Sequence, residues 1–221
     1  MNSKFKIQNS KLHFISQPSP SHQQAIQEAC EAGVKWVQLR VKNTEEAAWL
    51  AEAKACKTIC QQYGATFIVN DNIQIAKLVG ADGVHLGKQD ISPAEARKIL
   101  GHDMIIGGTA NTFEDIQYLA AQGVDYIGLG PFRFTSSKAN LSPIVGLEGY
   151  QTIVAQCKAA HINIPIIAIG GILVDDMAAI LALEIHGIAV ASLINESKNK
   201  KKIVSEINNI IGAPTFLSWH Q

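Results

Sequence analysis

The chain has 221 residues, 47% apolar and 17% charged, with 19 basic side chains balancing 19 acidic ones. That length fits one domain with a sizeable core, and the zero formal charge gives no sign of a nucleic-acid or anionic-membrane partner. Any anion site must therefore come from a local cluster of cations. Residues 1–16 are polar and lack the apolar stretch of a signal peptide, so a cytoplasmic protein is expected. The longest apolar run, 164–174, is too short to span a bilayer and contains Pro165, Gly170 and Gly171. The cysteines, Cys30, Cys56, Cys60 and Cys157, have no nearby His or Cys pair to complete a zinc set and read as buried or half-buried thiols.

In chain order, short runs rich in Ile, Val or aromatics predict strands at 12–16, 36–41, 66–70, 83–86, 104–108, 126–130, 164–170 and 187–192. Segments with helical apolar spacing lie between them, among them Ala47 to Ile59, Ile73 to Val79 and Ile203 to Ile211. Ser92-Pro93 with Glu95, and Thr112 with Glu114 and Asp115, are helix starts. Eight strand–helix units without a linker predict an α/β chain closed into a single (β/α)8 TIM barrel. The domain spans 1–221, with its core at about 12–211; an open doubly wound sheet is the competing arrangement.

In such a barrel chemistry collects at the C-terminal ends of the strands, and the polar residues lie there. Alternation along the second strand turns Val37, Leu39 and Val41 toward the helices and Gln38, Arg40 and Lys42 toward the mouth. The third strand ends in Asn70-Asp71 and the fourth leads through His85 and Lys88 to Asp90. The fifth ends in Thr109, the seventh in Gly170-Gly171 and the eighth in Ala191-Ser192. Two cations on one face call for an anion, and Arg fits phosphate oxygens with two parallel donors. Asp71 and Asp90 read either as salt-bridge partners of those cations or as carboxylates for Mg2+, which accepts one or two carboxylates beside phosphate oxygens and water. The longest connection, 131–144, carries Thr135, Ser136, Ser137 and Lys138, a hydroxyl-rich stretch suited to phosphate. Gly171, Ala191 and Ser192 suit a second phosphate pocket after strands seven and eight. His85 could serve as an acid or base or as a structural polar group. The other histidines show no pattern.

These motifs, from Gln38-Leu39-Arg40-Val41-Lys42 through Asn70-Asp71, Gly83 to Gly87 with Asp90, Gly130-Pro131, Thr135 to Lys138 and Ile169 to Ile172, occur in one order. In that order the chain resembles the thiamine phosphate synthase family over residues 12–211. The resemblance implies a transferase joining a hydroxymethylpyrimidine diphosphate to a thiazole phosphate carboxylate, with diphosphate leaving first. It implies Asp71 and Asp90 as Mg2+ ligands and Arg40, Lys42 and Lys138 as catalytic cations. Gln38, Leu39, Arg40, Val41, Lys42, Asn70, Thr109 and Lys138 would hold the pyrimidine diphosphate. Thr135, Ser136, Ser137, Gly171, Ala191 and Ser192 would hold the thiazole phosphate. Thr109 stands where the family usually has Ser, Ser137 where it has Thr, and Lys88 where it has Gln. The rival readings are a thiazole tautomerase-like enzyme and a non-catalytic phosphate-binding barrel; neither requires the full set of cations and carboxylates. Small-molecule substrates are the expected partners, with no nucleic acid and no membrane.

Overall fold

The computed structural model describes residues 9–18, 20–42, 44–134 and 143–212. Eight parallel strands close into a barrel in sequential order, with β1 completing the ring against β8. The strands are β1 Leu12–Ile15, β2 Trp36–Leu39, β3 Thr66–Asn70, β4 Gly83–Leu86, β5 Ile105–Ala110, β6 Tyr126–Leu129, β7 Ile166–Ile169 and β8 Gly187–Val190. Around them lie α1 His22–Glu31, α2 Glu46–Gln62, α3 Ile73–Leu78, α4 Pro93–Leu100, α5 Phe113–Ala121, α6 Gly146–Ala159, α7 Val174–Leu181, α8 Ser192–Asn195 and α9 Lys200–Gly212. The expected eightfold barrel is the observed fold. Among the described residues, no helix is long and apolar enough to cross a membrane.

Strand alternation divides the core in two. Val37, Leu39 and Val41 join the large apolar layer between sheet and helices. Ile15, Trp36, Ile68, Ile105, Tyr126, Ile167 and Ala189 fill the barrel interior. His13 lies among them, stacked on Trp36 at 4.1 Å between ring centroids. Gly107 and Gly128 leave the room that the Tyr126 and His85 rings occupy, since a Cβ at either position would press on them. All four cysteines are buried and free, as expected.

Several strand ends differ from the expectation. β2 stops at Leu39, so Arg40 and Lys42 sit just past the strand rather than within it. β7 starts only at Ile166 because Pro165 has no N–H to give a neighbour. β8 stops at Val190, and Ser192 opens a short helix instead of ending a strand. β5 runs on to Ala110, where pairing of Thr109 with Gly128 and Ala110 with Leu129 overrides the weak strand propensity of Gly107-Gly108. Both expected capping boxes form, at Ser92 with Glu95 and at Thr112 with Asp115.

The N-terminal rim is stapled by two carboxylates that precede strands. Asp82 accepts the Phe67 N–H and Lys57 Nζ, both at 2.9 Å. Asp125 accepts the Ile106 N–H at 2.8 Å and Arg97 Nη2 at 2.6 Å. Each thus ties a neighbouring strand to a helix at the end opposite the polar mouth. The mouth is left free to carry chemistry.

Candidate active site

A cavity of about 520 Å³ opens at the C-terminal ends of the strands. Its wall includes Gln38, Arg40, Lys42, Asn70, Asp71, Asp90 and Thr109 on one side. Gly170, Gly171, Ala191 and Ser192 line the other. The structure therefore brings together most of the residues singled out from the sequence. Leu39 and Val41 are the exceptions: their side chains lie in the helix-side core, so only their backbone can serve the cavity. Thr135, Ser136, Ser137 and Lys138 lie outside the described residues.

Asp71 is placed by its backbone. Its N–H donates to the His85 carbonyl at 2.8 Å and extends the β3–β4 pairing by one residue. Its φ of 64° then turns the chain sharply, a conformation that Asp tolerates better than most residues. Asn72 follows and caps α3 through the Ile75 N–H at 2.9 Å. Asp90 is fixed by the Gly87 N–H, 2.7 Å from Oδ2. The two carboxyl groups line the same edge of the cavity, close enough for the Asp90 charge to act on Asp71. Desolvation, then the Asp90 charge, pushes Asp71 up to about 6, against the opposing pull of Arg40 and Lys42. Desolvation also lowers the Arg40 guanidinium, while Asp71 offsets part of that effect. Four charged groups of both signs thus crowd one edge of the cavity.

Below them runs a polar chain. His85 Nε2 lies 3.0 Å from the Thr109 hydroxyl, and Nδ1 lies 3.0 Å from the Tyr126 hydroxyl. The Gln38 side chain also reaches Tyr126, whose phenol burial holds far above its ordinary range. With His85 neutral, one ring nitrogen donates and the other accepts, so its two neighbours play opposite roles. His85 itself lines the cavity, and its ring ties the Thr109 hydroxyl there to the Tyr126 phenol.

The family model for thiamine monophosphate synthase matches residues 12–194. The chain belongs to the thiamine monophosphate synthase family. It is 48% identical over 200 residues to the thiamine-phosphate synthase of Flavobacterium psychrophilum, a match covering 90% of this chain and 97% of that one. It is 46% identical over 202 residues to that of Phocaeicola vulgatus, covering 90% and 97%. The solved thiamine phosphate pyrophosphorylase of Pyrococcus furiosus superimposes with a TM-score of 0.82 at 30% identity, covering 93% of this chain and 98% of that one. Family membership makes the chain an enzyme of the transferase class.

Within the family frame, the structure adds residues that the sequence reading passed over. Ser16 and Gln17 line the cavity at the end of β1, and Asn111 lines it just past β5. The rule that found Asp71 applied to them as well: they are polar residues where a strand ends. The Ser16 hydroxyl accepts the Arg40 N–H at 3.3 Å and bonds His22 Nδ1 at 2.8 Å, so a buried pair supports the Arg40 backbone. Lys88 is paired with Asp115 at 2.5 Å, tying the loop after β4 to the start of α5. Arg133 binds Asp176 with both arms, an arrangement with no local sequence signal.

Two carboxylates converging on one edge of the cavity suit a hard divalent cation, which would relieve their mutual repulsion. Among the described residues no group of three or more His, Cys, Asp or Glu side chains forms a metal cluster. A Mg2+ ion would thus keep coordination positions for phosphate oxygens and water, as is usual for that ion.

Proposed function

We propose that this enzyme is a thiamine phosphate synthase that joins 4-amino-2-methyl-5-hydroxymethylpyrimidine diphosphate to a thiazole phosphate carboxylate, releasing diphosphate and CO2. The observation that carries the reading is the meeting of Arg40 and Lys42 with Asp71 and Asp90 on one edge of a cavity large enough for two small substrates. The named relatives point the same way.

The bond that breaks is C–O, and negative charge grows on the departing diphosphate. Donors already aimed at that charge lower the barrier because they need no reorganisation. Arg40 and Lys42 supply them beside the cavity wall, and the family resemblance gives Lys138, which lies outside the described residues, the same role. When bound, Mg2+ would be held by Asp71 and Asp90 and would supply Lewis-acid stabilisation of the same charge. Gln38, Asn70 and Thr109 hold and orient the pyrimidine, with the backbone of Leu39 and Val41 beside them. Gly171, Ala191 and Ser192, with Thr135, Ser136 and Ser137, hold the thiazole phosphate so that its ring nitrogen faces the pyrimidine-methyl cation. No protein nucleophile is required, and the buried cysteines stand apart from the cavity. A cytoplasmic setting belongs to the same proposal and rests on the biosynthetic role named for the relatives.

The test is a coupling assay with both purified substrates, with and without Mg2+. Formation of thiamine phosphate only when Mg2+ is present is the expected result. Absence of product under both conditions overturns the reading. A thiazole tautomerase would isomerise its thiazole phosphate without consuming pyrimidine diphosphate, so the same assay separates the two.

A further inference from the structure

Arg133 stands behind the cavity wall that Gly170, Gly171 and Ile172 form. Its backbone N–H donates to the Gly170 carbonyl at 3.0 Å. Its guanidinium takes both oxygens of Asp176, at 2.5 and 2.8 Å, and Nη1 also donates to the Gly171 carbonyl at 3.1 Å. Asp176 Oδ2 in turn accepts the Leu173 N–H at 2.7 Å. One ion pair and one backbone bond therefore hold the 170–173 turn from the outside. The turn packs directly on the arginine stem: a Cβ on Gly171 would lie 2.5 Å from Arg133 Cγ and 2.8 Å from the Phe134 carbonyl oxygen.

A trans peptide points its C=O and the following N–H in opposite directions. Drawing the Gly171 carbonyl outward to the guanidinium therefore turns the Ile172 N–H inward. Gly170 and Gly171 both have positive φ, 99° and 66°, which folds the backbone into a concave turn. Concave turns of this kind present N–H groups to anions. The Arg133 charge itself is matched by Asp176, so its effect on an anion in the cavity is one of aim rather than of attraction.

We propose that Arg133 and Asp176 are positioning residues that aim the backbone N–H donors of the 170–172 turn at a phosphate monoester, without touching it. The proposal rests on the reading that this turn holds the thiazole phosphate. Its specific claim is that the fork geometry of Arg133 matters, and not merely its charge. Lys keeps the charge but cannot grip two carboxylate oxygens and a carbonyl in one plane.

The test is steady-state kinetics on Arg133→Gln, Arg133→Lys and Asp176→Asn, using the thiazole phosphate carboxylate and the same compound lacking its phosphate. All three variants are expected to raise KM for the phosphorylated thiazole about tenfold, the effect of one misaimed hydrogen bond to a charged group. The KM for the pyrimidine diphosphate should stay within about twofold, and kcat/KM for the unphosphorylated thiazole should match wild type. Equal rises in both KM values, or full activity in Arg133→Lys, overturn the positioning role. Unchanged kinetics in Arg133→Gln, with a wild type that still prefers the phosphorylated thiazole, also overturn it and leave the subsite reading intact. A wild type that treats the two thiazoles alike sinks the subsite reading and this inference with it. Should Asp176→Asn fail to fold for want of its helix cap, Arg133→Gln carries the test, since that side chain is 41% exposed.

Discussion

Asp71 and Asp90 follow adjacent strands and converge on one edge of the cavity, where the Asp90 charge acts on the Asp71 carboxyl. The relationship sets function against stability. Desolvation and the Asp90 charge push Asp71 up to about 6, so the folded protein binds this proton more tightly than the unfolded chain does. An acid shifted that way subtracts stability above about pH 6 and none below its unfolded value near 4. Asp71→Asn keeps the φ that residue 71 needs and removes the charge conflict. In protein without metal at pH 7.5 it should gain about 1 kcal/mol, allowing for solvent screening at this exposed rim, or about 2–4 °C in Tm. The gain should shrink as the pH is lowered toward 4. The same variant should lose turnover. Thermal melts across that range, paired with the coupling assay, check both halves; a variant that melts below wild type at pH 7.5 contradicts the account.

Asp90→Ala tests the partner. It removes the acceptor of the Gly87 N–H at 2.7 Å, a loss of about 1 kcal/mol, and half of the proposed metal site. Turnover should fall by at least about a hundredfold while circular dichroism stays native, as expected when a group acting on transition-state charge is lost. Near-normal synthesis by the folded variant would remove the metal assignment.

The Thr109–His85–Tyr126 chain yields a third expectation. Tyr126→Phe removes the 3.0 Å bond between the Tyr126 hydroxyl and His85 Nδ1, a loss of about 1 kcal/mol. It also frees the imidazole to turn, so the Thr109 hydroxyl loses its fixed direction. KM for the pyrimidine diphosphate should rise several-fold, with KM for the thiazole phosphate little changed. Equal changes in both would show that the chain serves the barrel core and not the pyrimidine end.

These relationships were legible in the sequence to different depths. Strand alternation alone placed Gln38, Arg40 and Lys42 on the cavity face and Leu39 and Val41 behind it, because a period of two is fixed by the backbone. The positions of Asp71 and Asp90 followed from strand ends. The way each is held did not, since it depends on the turn at φ 64° and on the Gly87 N–H that fixes Asp90. β5 read short because two glycines hide a strand that only its pairing with β6 maintains. Arg133 and Asp176 are separated by 43 residues and meet only through the β6–β7 packing, so no local pattern announces them. Gln38 and Thr109 were legible as cavity residues, but the histidine and tyrosine that join them needed the closed barrel.

Acid should weaken the fold through its buried histidines. Burial, and secondarily His85, holds His13 well below its usual pKa, and burial lowers His22 despite the Glu52 charge. Both stay neutral in the folded state while the unfolded chain takes up protons below about pH 6.5. Stability is therefore complete above that pH and falls as the pH drops through it toward the folded pKa values, by up to about 1.4 kcal/mol per pH unit for each group. His13→Phe keeps a ring on Trp36 and deletes the proton site. Urea unfolding between pH 7.5 and 5 should show a shallower pH slope in that variant, and an unchanged slope would assign the acid sensitivity elsewhere.

The N-terminal rim supplies the counterpart, a site where damage should spare the kinetics. Asp125 is largely buried and accepts both Arg97 Nη2 and the Ile106 N–H, while Arg97 Nη1 also donates to the Met104 carbonyl. Arg97→Met removes one partner of that largely buried ion pair, and breaking a buried pair costs about 3–5 kcal/mol. Asp125 lies before β6, at the end of the barrel opposite the cavity. Chemical unfolding should therefore show a large loss of stability, while the folded fraction keeps both KM values and kcat within about twofold. A selective rise in either KM would mean that strain at the rim reaches the mouth through β5 and β6, and the division of the barrel into a stabilising end and a catalytic end would have to be given up.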